Sequence, residues 1–102
     1  MTNCIFCKIL NGEIPSKIIY EDEACFAIND INPKAKKHIL VIPKNHVESA
    51  KDVEDFTLFA KLFEAISKIN KQEEITDYKL QINTGKSAGQ EVMHLHLHIL
   101  AN

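Results

Sequence analysis

The chain has 102 residues, 45% of them apolar and 25% charged, with a net charge of −2 at neutral pH. That is the size and balance of one globular domain. It lacks the basic footprint of general nucleic-acid binding, and no run approaches the roughly 20 apolar residues that a bilayer span needs. The first residues show no basic segment followed by an apolar run, and three cysteines are too few and odd in number for a disulfide framework; both point to a reducing cytoplasm.

In chain order, Cys4 to Leu10 is apolar and predicts a short helix, ended by Asn11-Gly12. Lys17 to Glu21 and Cys25 to Asn29 predict two strands, with Asp22-Glu23 as a hairpin turn that lacks glycine. Asp30-Ile31-Asn32-Pro33 breaks the pattern, and Lys34, Lys36 and Lys37 read as a solvated loop. His38 to Pro43 is a compact, branched apolar run that suits a buried strand, closed by a proline that cannot donate to a ladder. From Asp52 the period changes to three or four: Phe56, Phe59, Phe63, Ile66 and Ile69 predict a long helix, capped by Asp52 or Ser49, with its phenylalanines in the core. Tyr78 to Asn83 alternates as a strand. Thr84 to Glu91 is a polar loop with Gly85 and Gly89, and His94 to Leu100 is the last strand. The count is about five strands, one long helix and one short helix. The strands come in adjacent runs, so the fold class is α+β with an antiparallel sheet packed on the helix.

The last strand carries the strongest signal. In His94-Leu95-His96-Leu97-His98 the histidines share one face of an extended chain, and Leu95, Leu97 and Ile99 share the other. Consecutive positions on that face stand roughly 6.5–7 Å apart, close enough for one phosphate to touch both His96 and His98. A second group is Cys4-Ile5-Phe6-Cys7. Such a pair can chelate one ion, act as a redox pair, or be two small buried residues. As ligands it needs two more to close a tetrahedron, and His46 and His94 supply them. Four protein ligands leave no open position, so this would be a structural zinc site. Cys25 lies inside a strand and reads as core.

These motifs, together with Ile14-Pro15-Ser16-Lys17-Ile18-Ile19-Tyr20-Glu21-Asp22, Asp30-Ile31-Asn32-Pro33, His38-Ile39-Leu40-Val41-Ile42-Pro43-Lys44-Asn45-His46 and Gly89-Gln90-Glu91-Val92, resemble the Hint branch of the histidine triad (HIT) superfamily over nearly the whole chain and in the same order. The resemblance implies a five-stranded antiparallel sheet with one long and one short helix. It implies a homodimer, and a purine nucleotide-binding hydrolase that cleaves at the α-phosphorus of nucleoside phosphoramidates or related adenylates through a nucleotidyl-histidine. It assigns His96 as nucleophile, His98 as its partner on the phosphate and His38 as the histidine that orients the triad. Asp30 would take the ribose hydroxyls. Ile5, Phe6, Ile9, Ile28, Ile31 and Leu40 would wall the base slot. Asn83 and the backbone around Gly89, Gln90 and Glu91 would hold phosphate. Bacterial relatives with the cysteine pair bind zinc at the positions of Cys4, Cys7, His46 and His94. Read from residue type alone, Asp30 and Asn83 also suit local turn or loop bonds. Hydrolysis of dinucleoside polyphosphates, or nucleotide binding as an adaptor with little turnover, are the alternative functions. Two departures stand out: Glu91 occupies a position where some members have a serine near the leaving group, and the sequence given ends at Asn102 without the tryptophan- and proline-containing tail of many relatives, which implies a more open pocket.

Overall fold

The computed structural model describes residues 3–102. Among them are two α-helices, α1 (Ile5–Leu10) and α2 (Thr57–Gln72), and five strands: β1 (Ile18–Glu21), β2 (Cys25–Asn29), β3 (Lys37–Pro43), β4 (Lys79–Gln81) and β5 (Leu97–Ala101). The strands form one sheet in the order β1-β2-β3-β5-β4, and every neighbouring pair is antiparallel. The α+β architecture expected from the sequence is the one observed.

Strand alternation divides the molecule into two apolar layers. One face of β3 and β5 contributes Ile39, Val41, Leu97 and Ile99, all at 0% exposure, and packs with Leu95 under Leu62, Ala65, Ile66 and Ile69 of α2. The opposite face gathers Phe26, Ile28, Leu40 and Ile42 beneath Phe6 and Ile9 of α1. In the β3–β5 register Leu40 lies opposite His98 and His38 opposite Leu100. Facing residues of a ladder share a side of the sheet, so the histidine face of β5 is the α1 face.

The β1–β2 turn works without glycine because Asp22 supplies the bonds. Its Oδ1 accepts the amides of Ala24 (2.8 Å) and Cys25 (2.9 Å), and its Oδ2 accepts the Tyr20 hydroxyl (2.8 Å). Burial pushes the Asp22 carboxyl upward, but these donors outweigh it and hold the group below its ordinary range. Burial raises the Cys25 thiol to about 12, in keeping with an inert core residue.

Several boundaries differ from the sequence expectation. α2 begins at Thr57, not near Asp52. Ser49 Oγ and Asp52 Oδ2 bond each other (2.7 Å) across a 3-10 turn, while Asp55 Oδ1 accepts the Thr57 amide and hydroxyl at the true helix start. Phe56 is 71% exposed and Phe63 49%, because the buried stripe of α2 runs through Leu62, Ile66 and Ile69 and leaves those rings on its flank. Only Phe59 of the three packs partly against the core. β4 contracts to three exposed residues, since an edge strand here has no layer above it to bury its alternate positions. β5 begins at Leu97, so His94 and His96 precede the ladder.

Candidate active site and metal-ligand cluster

His38, His96 and His98 meet in a cleft of about 480 Å³, together with Asp30, Asn83, Gly89 and Glu91. Sequence reasoning missed its other walls, Asn32, Lys34, Gln81 and Leu100. Gln81 lies directly opposite His98 in the β4–β5 pair, and a two-residue alternation from Asn83 could have found it.

The hydrogen bonds assign the ring tautomers. The Lys34 amide donates to His38 Nδ1 (3.0 Å), which leaves the His38 proton on Nε2. That N–H reaches His98 Nδ1 at 2.8 Å, with Asp30 Oδ2 at 3.4 Å from the same nitrogen. His98 therefore carries its proton on Nε2, a buried atom in the cleft wall that has no partner among the described residues. An N–H left without an acceptor in such a place is costly unless a ligand supplies one.

His96 has the complementary arrangement. Its Nδ1–H donates to the His94 carbonyl at 2.7 Å, so Nε2 keeps its lone pair. Burial pushes the ring below its ordinary pKa, against the upward pull of the carbonyl and of Asp30 and Glu91. Burial, reinforced by the neighbouring His96 and His38, takes His98 down to about 4. Both rings are thus neutral near pH 7: one presents a lone pair and the other an N–H donor, with ring centroids 4.9 Å apart.

The structure places the remaining candidates unevenly. Phe6, Ile9, Ile28 and Leu40 form one apolar cluster with Phe26 and Ile42, which sequence reasoning did not single out although Phe26 alternates with Ile28 along β2. Ile5 is 42% exposed and Ile31 90%. Asp30 Oδ1 accepts the Asn32 amide (2.9 Å), and this turn leaves the Ile31 side chain outside the packed layer. Asn83 bonds its own neighbourhood: its Nδ2 donates to the Gly89 carbonyl (3.4 Å) and its Oδ1 accepts from Gln81 (3.2 Å). Two of the loop amides expected to hold phosphate make bonds within the loop. Gly89 N–H donates to the Lys86 carbonyl (3.0 Å) and Gln90 N–H to the Gly85 carbonyl (3.1 Å). The Gln90 side chain is buried too, accepting from the Gly85 amide and donating to the carbonyls of Glu48 and Val92. Closing this loop requires Gly89 at φ +97°, and it consumes those donors. The amide of Glu91 is the one backbone donor of the three that no described residue takes.

Cys4, Cys7, His46 and His94 form the second cluster; their ligand atoms all lie within 4.8 Å of one another, so the four can hold a metal ion. Cys4 Sγ is 3.2 Å from His94 Nδ1, and Cys7 Sγ is 3.5 Å from His46 Nδ1 and 3.6 Å from His94 Nδ1. His94 Nε2–H donates to the Pro43 carbonyl (2.8 Å), which turns the Nδ1 lone pair toward the sulfurs. A larger open groove of about 630 Å³ lies elsewhere, between the Asp22–Ala24 turn and the start of α2. It is lined by carboxylates and lysines, and none of the histidines borders it.

This geometry agrees with the comparisons to known proteins. The family model for the HIT domain matches residues 11–102. The chain belongs to the HIT family. It is 47% identical to the protein HitA of Neisseria gonorrhoeae over 103 residues, covering 98% of this chain and 96% of that one. A HIT family hydrolase from Clostridium thermocellum superposes with a TM-score of 0.96 at 42% identity, over 100% of this chain and 92% of that chain. A histidine triad nucleotide-binding protein from Candida albicans gives a TM-score of 0.87 at 33% identity, over 95% and 73%. Among the described residues, this HIT protein has no helix long and apolar enough to cross a membrane.

Proposed function

We propose that this HIT protein is a purine nucleotide hydrolase that cleaves nucleoside phosphoramidates or related adenylates at the α-phosphorus. The observation that carries this reading is the paired tautomers: a lone pair held on His96 Nε2 beside an unpartnered N–H on His98 Nε2, in one cleft. His96 Nε2 attacks the α-phosphorus, the bond to the leaving nitrogen or oxygen breaks, and a nucleotidyl-histidine forms. Water then cleaves the phosphorus–nitrogen bond and regenerates the ring. The His98 N–H and the Glu91 amide supply donors for charge on the phosphate oxygens. Phe6 stands edge-on to His96 and Leu40 faces His98, so the apolar layer of Phe6, Ile9, Ile28 and Leu40 adjoins the triad, and Ile5 and Ile31 are exposed apolar groups for a purine to cover. The names of two relatives, one a hydrolase and one nucleotide-binding, support the same reading.

The experiment is incubation with an adenosine 5′-phosphoramidate. The native protein releases AMP and shows an adenylated His96 by mass spectrometry, and His96→Ala does neither. Equal AMP release by both would refute the assignment. Comparing a diadenosine polyphosphate as substrate, and AMP binding without turnover, separates the two alternative functions.

The Cys4, Cys7, His46 and His94 cluster suits structural zinc. An ideal tetrahedron with the usual zinc–sulfur and zinc–nitrogen lengths sets sulfur and nitrogen about 3.6 Å apart, and the three distances observed are 3.2, 3.5 and 3.6 Å. Zinc there would cross-link α1 to the sheet and would take no part in bond cleavage. A homodimer is part of the proposal: β4 is an exposed sheet edge, flanked by the exposed Tyr78 and Ile82 and carrying Leu80, and such an edge pairs readily with a second copy.

A further inference from the structure

We propose that the metal-ligand cluster positions the nucleophile and the base slot, so that metal occupancy and nucleotide affinity are coupled. The inference rests on the zinc and nucleotide readings above. Two contacts join the sites. The first is His94, whose two ends serve different centres. Its ring offers Nδ1 to the sulfurs while Nε2–H holds the Pro43 carbonyl, and its own backbone carbonyl takes the His96 Nδ1–H at 2.7 Å. Whatever fixes the His94 ring also fixes the acceptor that selects the reactive tautomer of His96. His94 precedes β5, so no β5 ladder bond does this in its place; the Leu95 amide of the same peptide unit donates to the Val47 carbonyl (2.7 Å), which ties the acceptor to the segment that carries the ligand His46.

The second contact is Phe6. It lies between Cys4 and Cys7, and its ring stands edge-on to both histidines, with centroids 5.8 Å from His94 (82° between planes) and 5.0 Å from His96 (71°). Phe6 and Ile9 are also the α1 side of the apolar slot. α1 has only six residues, no side-chain cap and no acidic residue in its first turn. A helix that short is marginal without outside contacts, and both cysteines of the cluster stand at its start. Loss of the metal leaves Phe6 held by its apolar contacts alone, and its edge-on placement against the nucleophile loosens. Coupling of this kind is reciprocal: nucleotide tightens metal by the factor by which metal tightens nucleotide.

The test uses the zinc-loaded protein. Its zinc affinity is measured by competition with a chromogenic chelator, without and with saturating AMP, and AMP affinity is measured by calorimetry on loaded and stripped protein. Both ratios are expected to be about tenfold and equal. The ¹⁵N shifts of the His96 ring are expected to show the Nδ1–H tautomer in loaded protein and an average of tautomers after stripping. Phe6→Leu separates this from a simple loss of folding, because it is expected to retain zinc while its coupling ratio drops toward one. Zinc and AMP binding independently, an unchanged His96 signature, or full coupling in Phe6→Leu would each overturn the inference while leaving both binding sites in place. Absence of zinc, or of AMP binding, would instead remove the readings on which it rests.

Discussion

Gln90→Leu removes a buried side chain that bridges three backbone segments, and its cost can be worked from the structure. Gln90 is 3% exposed, accepts from the Gly85 amide at 2.8 Å, and donates to the carbonyls of Glu48 at 2.6 Å and Val92 at 3.0 Å. Each such bond contributes about 0.5–1.5 kcal/mol net, so three contribute about 1.5–4.5 kcal/mol. Gly85, Glu48 and Val92 are themselves not fully buried, so water recovers part of the loss. The expected destabilisation is about 2–3 kcal/mol, a large share of the roughly 5–15 kcal/mol that holds a small domain together. At a urea slope of about 1.3 kcal/mol/M, the unfolding midpoint falls by about 2 M. Gln90→Glu keeps the acceptor for Gly85 but sets a carboxylate against two carbonyls, so at pH 7 it is expected to cost at least as much. AMP affinity should fall in both variants, since the loop carries Asn83, Gly89 and Glu91 to the cleft. A Gln90→Leu unfolding free energy within about 0.5 kcal/mol of native would refute the reasoning.

Other expectations follow from the same geometry. His98 titrates near 4 in the folded chain against 6.5 for an ordinary histidine, so the unfolded chain binds more protons between those values. Its neutral form contributes nothing to the pH dependence above about 6.5, and stability is lost as pH falls from there toward 4; melting temperatures from pH 7.5 to 4.5 should drop less steeply in His98→Asn than in the native chain. Leu97→Ala, at a fully buried position of the α2 layer, is expected to cost about 2–5 kcal/mol in urea unfolding. Phe56→Ser, at a ring 71% exposed, should change stability by no more than about 0.5 kcal/mol, and a larger loss would mean that this flank of α2 is covered in solution.

Much of this protein is written in local pattern. Period-two alternation put Leu95, Leu97 and Ile99 into one layer and the triad on the other side, because side-chain direction in an extended chain depends only on position. The period of three to four from Asp52 onward announced the long helix, which the structure bounds at Thr57–Gln72. The four candidate metal ligands were legible as residue types, since thiolate and imidazole are the donors that close a tetrahedral shell. The start of α2 was not legible: Ser49, Asp52 and Asp55 are all competent caps by chemistry, and which one sits at the helix depends on where the preceding turn packs. Nor did periodicity reveal that Phe56 and Phe63 lie outside the buried stripe, because a wide apolar face does not say how much of itself the sheet will cover.

Only the tertiary structure decided which nitrogen of each ring carries the proton. Residue type and order distinguish the five imidazoles by role but not by tautomer. Bonds from an amide at Lys34 and to carbonyls at Pro43 and His94 choose the proton-bearing nitrogen on each of three rings, and His38 passes that choice to His98. Those partners are backbone groups, alike at every residue, so no residue type announces them. The same holds for the loop amides of Gly89 and Gln90, which the chain needs for its own closure. Local side-chain direction is a property of the chain, whereas hydrogen-bond partnership between distant segments exists only after the sheet has brought them together.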